Sequence, residues 1–309
     1  MKVIITGGTG LIGRALVESL SADGHEVIVL SRHPREKDPA LPRVRTERWD
    51  ARTAAGWGHL ADGADAIVNL AGASIAGGLW TEAHKRRILD SRLRAGEAVL
   101  QAVQEASHRP RVLVQSSGIG YYGFRGDEEL TEEDGPGDDF LARVAVAWEA
   151  VTQPVEELGL RRVVIRTAGV LSRRGGFLPP MMWPLRLFVG GPLGSGRQWL
   201  PWIHIADEVG AIRFLLENEQ AAGPYNLAAP HQTTSAEFGR ILARTMGRPF
   251  YMPAPAFMLR LVLGEMSSLL LEGQRAVPRR LLEQGFTFRF PEAEQALRDV
   301  LGRRSAPQK

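Results

Sequence analysis

Five short runs, KVIIT, EVIVL, DAIVNLA, RVLVQSS and RRVVIRT, are continuously apolar in place of alternating. That is the pattern of strands buried on both faces of a sheet. Between them lie stretches with helical period: LIGRALVESLSADG, the long WTEAHKRRILDSRLRAGEAVLQAVQEAS, and GDDFLARVAVAWEAV. In the long one, Ile88, Leu93, Val99, Leu100 and Val103 keep one face toward a sheet. Strand alternating with helix predicts an α/β fold: a doubly wound parallel sheet of Rossmann type, with right-handed crossovers.

After Thr167 this rhythm breaks. RRGGFLPPMMWPLRLFVGGPLGSGRQWLPW is rich in Gly, Pro and aromatic residues and reads as an excursion out of the sheet. IHIADEVGAIRFLLENE and GPYNLAA then restore a helix and a strand, and the remainder is mostly helical. The expected organisation is a Rossmann domain from 1–167 and 203–228, with a smaller, mostly helical lobe from 168–202 and 229–309. The most apolar helical stretch, FMLRLVLGEMSSLLLEG, is interrupted by Arg260 and Glu265. It is expected to be a buried helix, or one packing against a partner, and not a membrane span.

A chain of 309 residues with 44% hydrophobic and 24% charged residues is long enough and apolar enough for a sizeable core. The net charge is +3, and lysine occurs only at 2, 37, 85 and 309, so the basic side is almost all arginine. Those arginines are scattered, which argues against a nucleic-acid surface. The tail GRRSAPQK reads as a frayed end. With no cysteine, disulfides, thiolate metal sites and cysteine nucleophiles are all excluded. MKVIITGG breaks its apolar run at Thr6, so no secretory leader is legible and a cytoplasmic protein is expected.

The strongest motif is VIITGGTGLIGRAL. Its glycines follow the first strand directly and open the first helix, the context that gives a glycine pattern its meaning. A Cβ at Gly7 or Gly10 would block the turn and the approach of a pyrophosphate, and one at Gly13 would push the helix off the strand. The helix N-terminus offers unpaired N–H groups and a partial positive charge. Gly7, Thr9, Gly10, Leu11, Ile12 and Gly13 are therefore the expected phosphate cradle.

The second strand, HEVIVLSRH, ends in Ser31-Arg32, where an NAD-selective protein usually carries an acidic residue for the ribose hydroxyls. A carboxylate would repel a 2′-phosphate, whereas a hydroxyl and a planar guanidinium bind one, which points to NADP(H). Arg35 adds charge nearby. Asp50, after Trp49 at the end of the third strand, borders the expected adenine site. Leu70, Ala71 and Gly72 of NLAG end the fourth strand close to the ribose and pyrophosphate. Ser116, in the Ser-Ser-Gly turn after the fifth strand, completes the expected contacts.

TGGTGLIG, NLAG, SSGIGYYG and PWIHIADEV, in this order, resemble the extended short-chain dehydrogenase/reductase superfamily. More narrowly, SR, NLAG, WEA, GGPLGSGRQWLPWIHIADEVGAI, LLEGQ and FRFPEAEQALRDVL are similar to its atypical branch of epimerase family proteins, over nearly the whole chain. The resemblance implies an NADP(H)-binding Rossmann domain and a small C-terminal lobe closing over a cleft. It also implies a catalytic tyrosine, a lysine four residues later and an orienting Ser or Thr.

Those three roles are vacant. Tyrosines occur only at 121, 122, 225 and 251, and no lysine lies between 85 and 309, so no Tyr-x-x-x-Lys pair exists. The position four before Tyr122 is Gly118, and near 140–145 stand Phe140, Leu141, Arg143 and Val144. Tyr121 and His204 are the substitute candidates: one just past a strand end, the other an imidazole where the second lobe leaves the sheet. The resemblance gives Tyr122, next to Gly123, a structural role. Lys85 and Arg92 read by default as solvated helix surface, with a place nearer the cofactor as the alternative for Arg92, and Glu149 reads as a surface or cap-pairing acid. No nucleophile elbow or cluster with metal-ligand spacing is present.

The first functional expectation is an NADP(H)-dependent oxidoreductase acting on a small molecule that the sequence does not identify. A non-catalytic NADP(H) sensor or scaffold is the second, and a sugar-nucleotide epimerase the weaker third, since reversible alcohol oxidation most needs the missing base. A homodimer is compatible with the two long helices.

Overall fold

A computed structural model of the chain describes residues 1–34 and 40–302. Arg35, expected to add charge to the phosphate site, and most of the C-terminal tail lie outside the described residues.

Seven strands form one parallel sheet: β1 (Lys2–Thr6), β2 (Glu26–Ser31), β3 (Val44–Arg48), β4 (Ala66–Asn69), β5 (Val112–Gly118), β6 (Arg161–Thr167) and β7 (Gly223–Leu227). Their order is β7-β6-β5-β4-β1-β2-β3. The chain moves outward in one direction through β2 and β3, then restarts at β4 on the other side of β1. That reversal makes the carboxyl ends of β1 and β4 the switch point at which open α/β sheets bind ligands. Val3, Ile4 and Ile5 are fully buried because β1 is flanked on both edges, with Ile4 in register with Ile28 and Ile67.

Among the described residues, three α-helices belong wholly to this sheet unit: α1 (Leu11–Ala22), α2 (Glu82–Glu105) and α3 (Phe140–Ala150). The Thr81 hydroxyl caps α2 by accepting the His84 N–H. The buried face of α2 (Ala95, Val99, Val103) packs into a core with Ile4, Ile67 and Leu113. At one edge of that core the Trp49 and Trp57 rings meet edge to face, and both indole N–H groups donate to the Thr53 carbonyl.

The chain divides into two compact units: Met1–Tyr121, Phe140–Arg166 and Val209–Tyr225 in the first, and Tyr122–Asp139, Thr167–Glu208 and Asn226–Lys309 in the second. Residues 122–139 and 203–208, together with Thr167 and 226–228 at the margins, thus group differently from the boundaries read in the sequence. Residues 122–139 join the second unit because Glu129–Leu130 pairs with Arg275–Ala276, and the Tyr122 hydroxyl donates to Asn226 at 2.7 Å. Residues 203–208 join it because Trp202–His204 pairs in parallel with Gly169–Ser172. The Asp207 carboxylate also accepts the N–H groups of Arg289 and Phe290.

The core of the second unit gathers Leu171, Leu178, Trp202, Phe238, Leu242 and Leu297. Its helices include α4 (Leu178–Arg186) and, after α5 (Ile205–Glu217) at the unit boundary, α6 (Ser235–Met246) and α7 (Ala256–Leu263). α6 opens on a Thr234/Glu237 capping box and stops at Gly247 in the left-handed region. The apolar stretch expected to be buried or to pack against a partner begins with α7, none of whose residues is buried in this chain. Leu261 is 83% exposed and Phe257 70%.

Candidate functional site

The turn from β1 into α1 is built around atoms that are missing. Gly7 has φ +67°, and a Cβ there would stand 2.7 Å from the Leu70 carbonyl oxygen. A Cβ on Gly13 would lie 2.4 Å from the Gly7 oxygen, and one on Gly10 would lie 3.2 Å from it. α1 starts at Leu11, and its first return bond is Arg14 N–H to the Gly10 carbonyl. The amides of Leu11, Ile12 and Gly13 therefore precede the helical ladder. Among the described residues no side chain caps them, and no acidic residue sits in the first turn. Thr9 is exposed, its carbonyl accepting from Arg14 Nε. Donors, dipole and empty space together match a pyrophosphate.

A buried polar ladder holds the neighbouring strand ends in line. Thr6, Asn69 and Gln115 are register partners on β1, β4 and β5. The Thr6 hydroxyl donates to Asn69 Oδ1 at 2.6 Å, Asn69 Nδ2 to Gln115 Oε1 at 2.9 Å, and Gln115 Nε2 to the Ser116 carbonyl at 2.7 Å. Thr6 Oγ1 also accepts the N–H groups of Leu70 and Ala71. The predicted residues Leu70, Ala71 and Ser116 are thereby tied to the glycine turn. The sequence showed only that small residues end β4; the ladder that fixes them needs three strands side by side.

At the end of β2, Ser31 and Arg32 face solvent to different degrees, Ser31 half-buried and Arg32 exposed. The Ser31 hydroxyl accepts the His33 N–H and donates to the His33 carbonyl, which makes a local turn. Asp50 caps a turn of its own. Oδ1 accepts the N–H groups of Arg52 and Thr53, and Oδ2 accepts the Thr53 hydroxyl.

Arg92 departs from its reading as solvated surface: it is 6% exposed. Its Nη1 donates to the carbonyls of Ala73 and Ile88, and its guanidinium lies over the Trp148 ring, 4.6 Å from the centroid. A Cβ on Gly72 would come within 3.1 Å of its Cζ. Burial lowers its pKa to about 10, so it stays charged at neutral pH. Among the described residues its polar contacts are carbonyls, with no carboxylate among them. The signal available in the sequence was helical phase, which places Arg92 in line with buried Ile88, Ala95 and Val99.

Beyond β5 the missing Tyr-Lys pair is replaced by a different cluster. Glu149 is not a surface acid. Its Oε1 accepts from the Ser117 hydroxyl at 2.6 Å and from Arg166 Nε at 3.0 Å, and its Oε2 accepts from Arg166 Nη2 at 3.0 Å. The Arg166 guanidinium, in turn, stacks on the half-buried Tyr121 ring, 3.5 Å from its centroid. Arg166 is 4% exposed, yet it stands near the end of a strand that otherwise reads as apolar. A cation at the end of RRVVIRT was the one sequence sign of this cluster. Phe140, at the expected tyrosine position, instead packs edge to face on Trp80, with Lys85 Nζ 5.5 Å from its ring.

His204 sits in the second unit, hydrogen-bonded through one nitrogen. Nδ1 accepts the Ala206 N–H, and Nε2 lies 3.2 Å from Asp299 Oδ2 although the angle is poor for a hydrogen bond. The ring also stacks on Phe290, and burial lowers its pKa. This is the setting of a neutral imidazole that ties chain segments together. Its neighbour Glu208 is fully buried. Glu208 accepts the Thr167 hydroxyl at 2.8 Å, and desolvation raises its pKa to about 8.

Residues 3–228 match the model of the NAD dependent epimerase/dehydratase family, and residues 254–300 match a domain of unknown function, DUF1731. Epimerase family protein YfhF of Bacillus subtilis is 38% identical over 305 residues, covering 98% of this chain and 99% of that one. Epimerase family protein SDR39U1 of Mus musculus is 38% identical over 310 residues, with 97% and 100% covered. The crystal structure of the human epimerase family protein SDR39U1 (isoform 2) with NADPH matches with a TM-score of 0.88 at 37% identity, over 98% of this chain and 99% of that one. A UDP-N-acetylglucosamine 4-epimerase from Methanobrevibacter ruminantium, 19% identical with a TM-score of 0.78 over 98% and 97% of the two chains, shares the fold. With the amide cradle, the strand order and these relatives in agreement, the chain belongs to the NAD dependent epimerase/dehydratase family of extended short-chain dehydrogenases/reductases, alongside the members named epimerase family proteins.

Proposed function

We propose that this protein is an NADP(H)-dependent oxidoreductase acting on a small molecule with a reducible carbonyl, activated alkene or quinone. The observation that carries the reading is the pairing of an uncapped amide cradle with Ser31-Arg32 at the end of β2, where a carboxylate would select against a 2′-phosphate. A relative solved with NADPH supports it. The amides of Leu11, Ile12 and Gly13 hold the pyrophosphate, Arg32 and Ser31 the 2′-phosphate, and Leu70, Ala71 and Gly72 line the path between them. Arg92, buried beside Gly72 without a carboxylate, adds positive charge on that path. When bound, the dinucleotide supplies a hydride. The chain supplies binding, orientation and a proton.

Calorimetric titration of NADPH and NADH tests the choice of dinucleotide. The wild type is expected to prefer NADPH, and Arg32→Ala to lose most of that preference, roughly a 10- to 100-fold change for one charge-assisted contact. Equal affinities of the wild type for the two dinucleotides would overturn it. A sensor reading draws on the vacant Tyr-x-x-x-Lys positions, and NADPH oxidation against a panel of ketones, enones and quinones separates it from the oxidoreductase.

A further inference from the structure

We propose that Tyr121 gives the proton to the substrate, and that Arg166, locked by Glu149 and Ser117, is the residue that positions it. This rests on the oxidoreductase reading. Tyr121 lies in the turn Ile119–Tyr122 directly after β5, at the carboxyl ends of the strands, where ligands of such folds sit. The other phenols are differently placed. Tyr122 and Tyr225 are fully buried, and Tyr251 is an exposed residue of the second unit.

The clamp is built for placement. A buried ion pair stabilises a fold no better than apolar packing of the same shape, so its geometry is its distinguishing property. Both ends of the Arg166 fork are fixed on one carboxylate, and the Ser117 hydroxyl fixes that carboxylate from β5. The flat face left to the guanidinium is the face under Tyr121. Glu149 offsets most of the charge of Arg166, so the arginine acts on the ring mainly by holding its plane, with a smaller electrostatic contribution through the π system.

In the step itself the reduced nicotinamide dinucleotide is the two-electron donor. A C–H bond of its dihydronicotinamide ring would break, leaving that ring oxidised, as the hydride forms a C–H bond on the substrate carbonyl carbon and the C=O π bond breaks. The Tyr121 O–H bond breaks as its proton passes to the substrate oxygen. Water then returns a proton to the phenolate.

Protein labelled with 3-fluorotyrosine gives four fluorine resonances, which single Tyr→Phe variants assign. NADP⁺ is expected to shift the Tyr121 resonance and leave that of Tyr251 in place, and in Arg166→Gln the Tyr121 response is lost. Tyr121→Phe removes only the hydroxyl. It is expected to keep NADPH affinity within about twofold and to lower kcat by about tenfold or more at unchanged KM. Glu149→Gln, which keeps the shape but loosens the fork, falls between. A Tyr121 resonance indifferent to NADP⁺, or Tyr121→Phe turning over like the wild type, would overturn the proposal. A wild type whose Tyr121 resonance responds to NADP⁺ but which oxidises NADPH with no member of the panel would instead overturn the oxidoreductase reading, leaving the placement of Tyr121 supported.

Discussion

A guanidinium taken out of water without a carboxylate beside it costs free energy, which neutral carbonyls repay only in part. Arg92 is in that position, while its aliphatic stem and its stack on Trp148 pack well. Replacing it therefore has two opposite effects under the proposed function. Arg92→Gln keeps a donor for the Ala73 carbonyl and removes the charge. The apo protein is expected to hold its Tm or gain slightly, while NADPH affinity falls roughly tenfold or more, as for loss of a charge-assisted bond. Thermal unfolding with and without NADPH reads both. A lower apo Tm with unchanged affinity would assign Arg92 to holding the loop after β4 and nothing more. At this scale the sequence misleads for a simple reason. An arginine on a helix is solvated by default, and only the phase shared with Ile88, Ala95 and Val99 marks this one as inward.

Elements built from local pattern were legible, and those built from distant partners were not. The five apolar runs form β1, β2, β4, β5 and β6, and the start of α1 matches the glycine turn, because both follow from neighbours in the chain. The cluster under Tyr121 joins Ser117, Glu149 and Arg166 from three elements, and no spacing rule connects them. The same holds for residues 122–139, which are tied to the second unit by pairing with Arg275–Ala276. α7 shows the same dependence: its apolar stretch is not buried in this chain, because burial depends on what lies opposite, which leaves packing against a partner as the expectation. The legible part can be tested at the junction of β1 and α1. The methyl of Gly13→Ala would stand 2.4 Å from the Gly7 oxygen and 2.6 Å from the Gly8 Cα, both backbone atoms that cannot rotate away. Overpacking of this kind costs about 1–3 kcal/mol. It also tilts the amide cradle, so NADPH binding is expected to weaken more than tenfold in calorimetry, a larger loss than the fall in Tm alone implies.

Stability of the whole chain carries the signature of a fully buried acid. Glu208 is fully buried, bonded at one oxygen by the Thr167 hydroxyl, and its pKa stands at about 8 against 4.5 for an ordinary glutamate, because desolvation opposes its charge. The native chain thus keeps a proton that the unfolded chain has already released. That contribution is fully present below about pH 4.5, declines as pH rises, and is gone once pH passes the folded value near 8. His204 works in the opposite sense. Its pKa is lowered by burial, so it loses stability to protonation on the acid side, below the ordinary histidine value of 6.5. Comparing pH 7 with pH 9 therefore isolates the glutamate from the histidine. Between these values the wild type is expected to lose Tm, and Glu208→Gln, which keeps the shape and an acceptor for Thr167 without an ionisable proton, is expected to lose distinctly less and to be the more stable protein at pH 9. Parallel curves for the two proteins would mean that Glu208 is already charged in the native fold at neutral pH, and that the cost of its burial is met by a group other than Thr167.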